Sequence, residues 1–89
     1  MKRDISTITE KEALTVVKNI YGNDLDNNKI VIDNGPIYTK IITQVKGCTG
    51  YISLAENTFE AWIEGDDGYV QIYEVSNKVN NYISKRFKI

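Results

Sequence analysis

Asp24, Asp26 and Asn28 alternate along the stretch from Asn23 to Lys29, the spacing of the first three ligands of a calcium loop. Such a loop also needs glycine at its sixth position for the sharp turn, and a bidentate glutamate at its twelfth. Counted from Asp24, those positions hold Lys29 and Gly35. The ammonium of Lys29 would stand where a cation should bind. The stretch is therefore expected to be a polar connector rich in turn formers, and no metal site is predicted.

Other carboxylates fare no better as catalysts or ligands. Asp66 and Asp67 lie between Gly65 and Gly68. A phosphate would be repelled by them, and no Lys-Ser/Thr pair follows as a phosphate-binding loop requires. Two carboxylates alone make a weak cation site, and the segment fits a four-residue hairpin loop. Glu60 and Glu64 share a strand face, but a rise near 3.3 Å per residue sets them about 13 Å apart. A glycosidase acid/base pair needs about 5–9.5 Å.

The chain has one cysteine and no histidine. That removes Ser-His and Cys-His nucleophile pairs, the imidazole base that works near neutral pH and the usual zinc sites. Cys48 has Lys46 close in sequence, a cation that would activate a thiol if it were also close in space. Without histidine it is expected to be a small loop or core residue. Only tyrosine, lysine and carboxylates remain for acid–base work, so the sequence predicts neither an enzyme nor a cofactor.

The elements that would position these residues follow from periodicity. The 89 residues suit one domain with one core. Thr9-Glu10-Lys11-Glu12 is a capping box. Ala13, Leu14, Val17, Ile20 and Tyr21 follow it at helical spacing, and Gly22 supplies the stop. The sequence thus predicts a helix over 10–21.

Strands are expected at 29–33, 37–45, 51–55, 58–64 and 69–75, rich in β-branched and aromatic residues. Asn34-Gly35 is a strong hairpin signal. Pro36, which has no N–H to close a two-residue turn there, requires an open or longer connection. Residues 46–50 and the pair Glu56-Asn57 are expected to be loops. Val75, Val79, Tyr82, Ile83 and Phe87 then form one helical stripe, with Ser76 or Asn77 as cap; because Asn80-Asn81 weaken helix propensity, a strand is the alternative for this tail. Lys85, Arg86 and Lys88 crowd the final turn, where cations suit the helix dipole. The fold class is α+β: an N-terminal helix, four or five antiparallel strands and a C-terminal helix, with helices on one sheet face.

Charge is unevenly spread. The formal net charge is −1, yet no Lys or Arg occurs between Lys46 and Lys78, where six carboxylates fall, and the tail carries four cations. Strand alternation with a four-residue loop would set Glu64 opposite Tyr69, Trp62 opposite Gln71 and Glu60 opposite Tyr73. The open face then reads Glu60, Trp62, Glu64, Tyr69, Gln71 and Tyr73, with Asp66 and Asp67 at its rim. Phe59, Ala61, Ile63, Val70 and Ile72 turn to the core, and Glu74 falls opposite Phe59 at its edge.

Trp and Tyr are enriched at binding hot spots, and an acidic rim steers a basic protein surface. Nucleic acid would call for Lys and Arg among the aromatics. The bland alternative is that these aromatics only stabilise the sheet, or that a helix covers them.

The function expected is a non-enzymatic protein-binding module, an inhibitor or immunity-type protein that occludes the basic site of a partner such as a nucleic-acid-processing protein. In function class it resembles small inhibitors carried by bacteria, phages and mobile elements, with no family motif behind the likeness. The alternatives are nucleic-acid binding through the basic C-terminal helix and a homo-oligomeric structural protein, down to a homodimer, paired through its exposed sheet or edge strand. No apolar run reaches the roughly 18–20 residues that span a bilayer, the N-terminus lacks a signal-peptide stretch, and one cysteine suits a reducing compartment. A cytoplasmic protein is expected.

Overall fold

The computed structural model describes residues 8–35, 38–55 and 59–87. Helix α1 spans Glu10–Tyr21. Its capping box is formed: the Glu12 N–H donates to Thr9 Oγ1 at 3.1 Å, and the Thr9 N–H donates to Glu12 Oε1 at 3.0 Å. Glu10 and Glu12 lie at its positive end and Lys18 in its last turn, each suiting the dipole. Ala13, Val16, Val17 and Tyr21 are buried. Leu14 and Ile20, expected on that face, are half-buried, and Val16, absent from the expected stripe, is buried. Gly22 stops the helix at φ +56°, with its N–H on the Lys18 carbonyl. A 3₁₀ turn, Gly22–Asp24, follows.

Five strands form one sheet: β1 (Val31–Asn34), β2 (Tyr38–Val45), β3 (Cys48–Ala55), β4 (Phe59–Glu64) and β5 (Val70–Tyr73). Their spatial order is their chain order, and every pair is antiparallel. Helix α2, Asn77–Phe87, follows β5. Ser76 caps it, with its Oγ accepting the Val79 N–H at 3.3 Å. The α+β architecture expected from the sequence is therefore the one observed.

One face of the sheet carries the core. The registered row Ile32, Ile41, Ile52, Ala61 and Tyr73 runs across all five strands. Ile41, Ile52, Leu54 and Ile63 are wholly buried with Val16 and Val17 of α1 and Ile83 of α2. Each such side chain contributes roughly 1.5–3 kcal/mol. Tyr82, expected on the buried stripe of α2, is exposed. The Phe87 and Arg86 side chains and Lys88 lie outside the described residues, as do Pro36, Ile37 and residues 56–58.

Two turns depart from the sequence expectation. Residues 46–50 are not a loop: Val45 pairs with Cys48 around a two-residue turn, so Cys48, Thr49 and Gly50 join β3. Lys46 and Gly47 both take positive φ, 53° and 74°, as a type I′ hairpin turn requires. The carboxylate of Asp26, twenty residues upstream, accepts both turn N–H groups, from Lys46 at 3.0 Å and Gly47 at 2.8 Å. That contact holds a lysine in a conformation few side chains adopt.

The second departure is the β4–β5 loop. It has three residues, Asp66, Asp67 and Gly68, rather than four. Gly65 pairs with Tyr69 through its N–H at 2.8 Å, the Gly68 N–H returns to the Gly65 carbonyl at 3.2 Å, and Gly68 has φ +85°. This is a three-residue hairpin with a glycine bulge.

Candidate functional site

One residue fewer in that loop shifts the register of β5 by one, and a one-residue slip turns every side chain of a strand over. Glu64 pairs with Val70, Ile63 with Gln71, Trp62 with Ile72 and Ala61 with Tyr73. The residues expected together are thereby split. Glu60, Trp62 and Glu64 share the face opposite the helices. Gln71 and Tyr73 turn to the helix side, where Tyr69 directs its hydroxyl to Gln71 Oε1 at 2.7 Å. Asp66 and Asp67 sit exposed at the loop. Val70 and Ile72, expected inside, stand on the open face, 58% and 79% exposed. Glu74 lies beyond the end of β5 and is exposed rather than paired with Phe59.

The face left open by the described helices carries an unbroken apolar row. Val31 pairs with Ile42, Ile42 with Tyr51, Tyr51 with Trp62, and Trp62 with Ile72. Five strands at about 4.8 Å spacing make this band about 19 Å long. Tyr51 and Trp62 stack at 5.6 Å between centroids, 28° from parallel. The Trp62 indole N–H donates to Glu64 Oε2 at 2.7 Å, which fixes its ring plane. Lys40 Nζ lies 5.4 Å from the Tyr51 ring centre and 5.5 Å from that of Tyr38, within cation–π range of both.

Val31, Ile42 and Tyr51 each have an isoleucine beside them in the chain, so alternation alone did not assign them to this face. Their alignment into one row depends on the registers of four separate hairpins.

The platform is tied from behind. The Tyr21 hydroxyl reaches the carbonyl oxygens of Tyr51 and Trp62, each at 3.0 Å, from the helix side. Its ring fits there because Gly50 has no side chain: a Cβ would fall 3.2 Å from Tyr21 Cζ and 2.7 Å from Val45 Cγ2. Tyr73 meets Tyr21 edge to face at 4.8 Å and donates to Asp24 Oδ2 at 2.8 Å. Burial raises the pKa of Tyr21, and the neighbouring Tyr73 adds to the rise. Burial, with the hydrogen bond and charge of Asp24, pushes Tyr73 up to about 12.

Two of the three residues at the calcium-like spacing thus have structural roles, while Asn28 is exposed and its neighbour Asn27 makes the local turn contact. Asp24 receives Tyr73, Asp26 clamps the β2–β3 turn, and Asn27 Oδ1 accepts the Lys29 N–H at 2.9 Å. Among the described residues no group of three metal-ligating side chains occurs. Cys48 is a half-buried free thiol at the start of β3. Beside β5, a groove of about 480 Å³ is lined by Phe59, Ala61, Trp62, Ile72, Val75 and Asn80, among others.

Set against family models, curated proteins and solved structures, the chain matches none. Among the described residues no helix is long and apolar enough to cross a membrane.

Proposed function

We propose that the protein is a non-enzymatic protein-binding module of inhibitor or immunity type, which lays the open face of its sheet over a basic site of a protein partner and blocks it. The observation that carries this reading is the apolar row from Val31 to Ile72, left uncovered by both described helices. Exposed apolar patches rimmed by polar groups mark interaction surfaces.

The rim on the β4–β5 side is acidic, with Glu60, Glu64, Asp66 and Asp67 all exposed. A partner with an apolar centre and a Lys/Arg border complements it, and steering by opposite charge speeds its arrival. A phosphate backbone would be repelled by these carboxylates, and the ammonium of Lys40 on the row's flank is already placed over two tyrosine rings. The two tyrosines with shifted pKa values are both raised, away from neutrality, and their hydroxyls are engaged in structural hydrogen bonds.

Affinity capture from the source cell, followed by calorimetry on the purified partner, tests the reading. Trp62→Ala should weaken binding by at least about 2 kcal/mol, roughly thirtyfold, as a central aromatic anchor does. Lys85→Glu on α2 should leave it unchanged. Equal affinity of Trp62→Ala and the parent protein, with circular dichroism unaltered, would reject this face.

A further inference from the structure

We propose that β5 accepts an extended segment of the partner as a sixth strand of the sheet, the segment having apolar residues at alternate positions and basic residues at its ends. The proposal rests on the protein-binding reading above and specifies how the partner is held.

The hydrogen-bond pattern supplies the first argument. Gly65 and Tyr69 form a bonded pair, with N···O 2.8 Å. In an antiparallel ladder bonded and non-bonded pairs alternate. Gln71 and Tyr73 therefore turn their backbone groups toward β4, whereas Val70 and Ile72 direct theirs to the free edge. Two N–H and two C=O groups stand there in the arrangement an added strand needs.

Among the described residues β5 is guarded by its shortness, four residues, and by nothing within the strand. Natural edge strands are blunted by charge, proline or a bulge within the strand. Val70-Gln71-Ile72-Tyr73 contains no charge and no proline, whereas β1, at the opposite edge, has Asp33 in its pairing segment. Ile72 is 79% exposed and borders the groove beside Trp62, where an apolar side chain of the incoming strand would lie.

Charge selects the occupant. Asp66 and Asp67 stand at one end of β5 and Glu74 at the other, with Glu60 and Glu64 on the neighbouring strand. No Lys or Arg occurs from residue 47 to 77. A second copy paired about Gln71 would bring Glu74 of one chain beside Asp67 of the other, a like-charge clash at both ends. A foreign strand with Lys or Arg at its ends meets opposite charges instead.

The test is amide hydrogen exchange by NMR on the full chain. The probe is a synthetic peptide of alternating valine and threonine with two lysines at each end. At saturating peptide the Val70 and Ile72 amides should exchange at least about tenfold more slowly. The same peptide ending in glutamates should give no protection. Ile72→Pro removes an edge donor without touching the β4–β5 ladder, and should abolish protection while the fold persists. Should that variant not fold, Val70→Pro removes the other edge-facing donor, and protection is then read at Ile72.

Unprotected amides at saturating lysine-ended peptide would overturn the proposal. So would protection that grows with protein concentration alone, which would make the occupant a second copy. A captured partner that shifts the Trp62 indole and Tyr51 signals but leaves the Val70 and Ile72 amides unprotected would sink the added strand and spare the open-face reading. A partner insensitive to Trp62→Ala would sink that reading instead.

Discussion

The Tyr21 hydroxyl joins α1 to the backbone of the stacked Tyr51–Trp62 pair. Tyr21→Phe keeps the ring and removes only that tie. The expected loss is about 0.5–1.5 kcal/mol in urea unfolding, accompanied by a change in Trp62 fluorescence, because the indole sits on the strand that is released. Tyr73 makes a pH-dependent contribution. Its folded pKa of about 12 lies above the ordinary 10.0, so the folded state holds the phenolic proton more tightly. Its stabilisation is complete below pH 10 and falls as pH rises from 10 toward 12. Tyr21, raised in the same direction, steepens the fall. Stability measured across that range should decline, and Tyr73→Phe should flatten the curve. Asp24→Asn removes the charge that opposes the phenolate, so ultraviolet titration should show Tyr73 ionising at lower pH.

At the scale of elements, Gly50 determines how closely α1 approaches the sheet. Gly50→Ala places a methyl 2.7 Å from Val45 Cγ2 and 3.2 Å from Tyr21 Cζ, and should cost about 1–3 kcal/mol by overpacking, read from the urea midpoint. The elements differ in how far the sequence revealed them. Helix α1 was legible to the residue because its signals are local: Thr9 and Glu12 cap each other within one turn. The strands were legible as strands, and the face of β4 was assigned correctly from its own alternation. The face of β5 was not, because it depends on whether Gly65 belongs to the loop or to the ladder. Dipeptide composition does not decide that; the bond from Gly65 to Tyr69 does. The turn at Lys46 was hidden for a different reason, since its stabilising carboxylate comes from Asp26, far along the chain. Of the open face, the alternation of β4 placed Glu60, Trp62 and Glu64 together, while Val31, Ile42, Tyr51 and Ile72 required the registers.

For the molecule as a whole, a formal charge of −1 conceals separated signs, with carboxylates gathered around β4 and β5 and Lys78 and Lys85 on α2. Binding to a basic partner should therefore slow as salt rises, most steeply below about 0.15 M, where the screening length exceeds roughly 8 Å. Stopped-flow measurement should show Glu60→Lys with Asp66→Lys lowering the on-rate more than it raises the off-rate. The strand order has a kinetic consequence as well. Because spatial order repeats chain order, each strand meets its neighbour through a hairpin, and no strand must wait for a distant segment. Folds dominated by such short-range pairing cross their folding barrier faster than sandwiches and barrels built from remote strands. The sheet should therefore assemble by successive zipping, well ahead of any collision with another unfinished chain, and an edge as lightly guarded as β5 would spend little time exposed beside incomplete neighbours during synthesis.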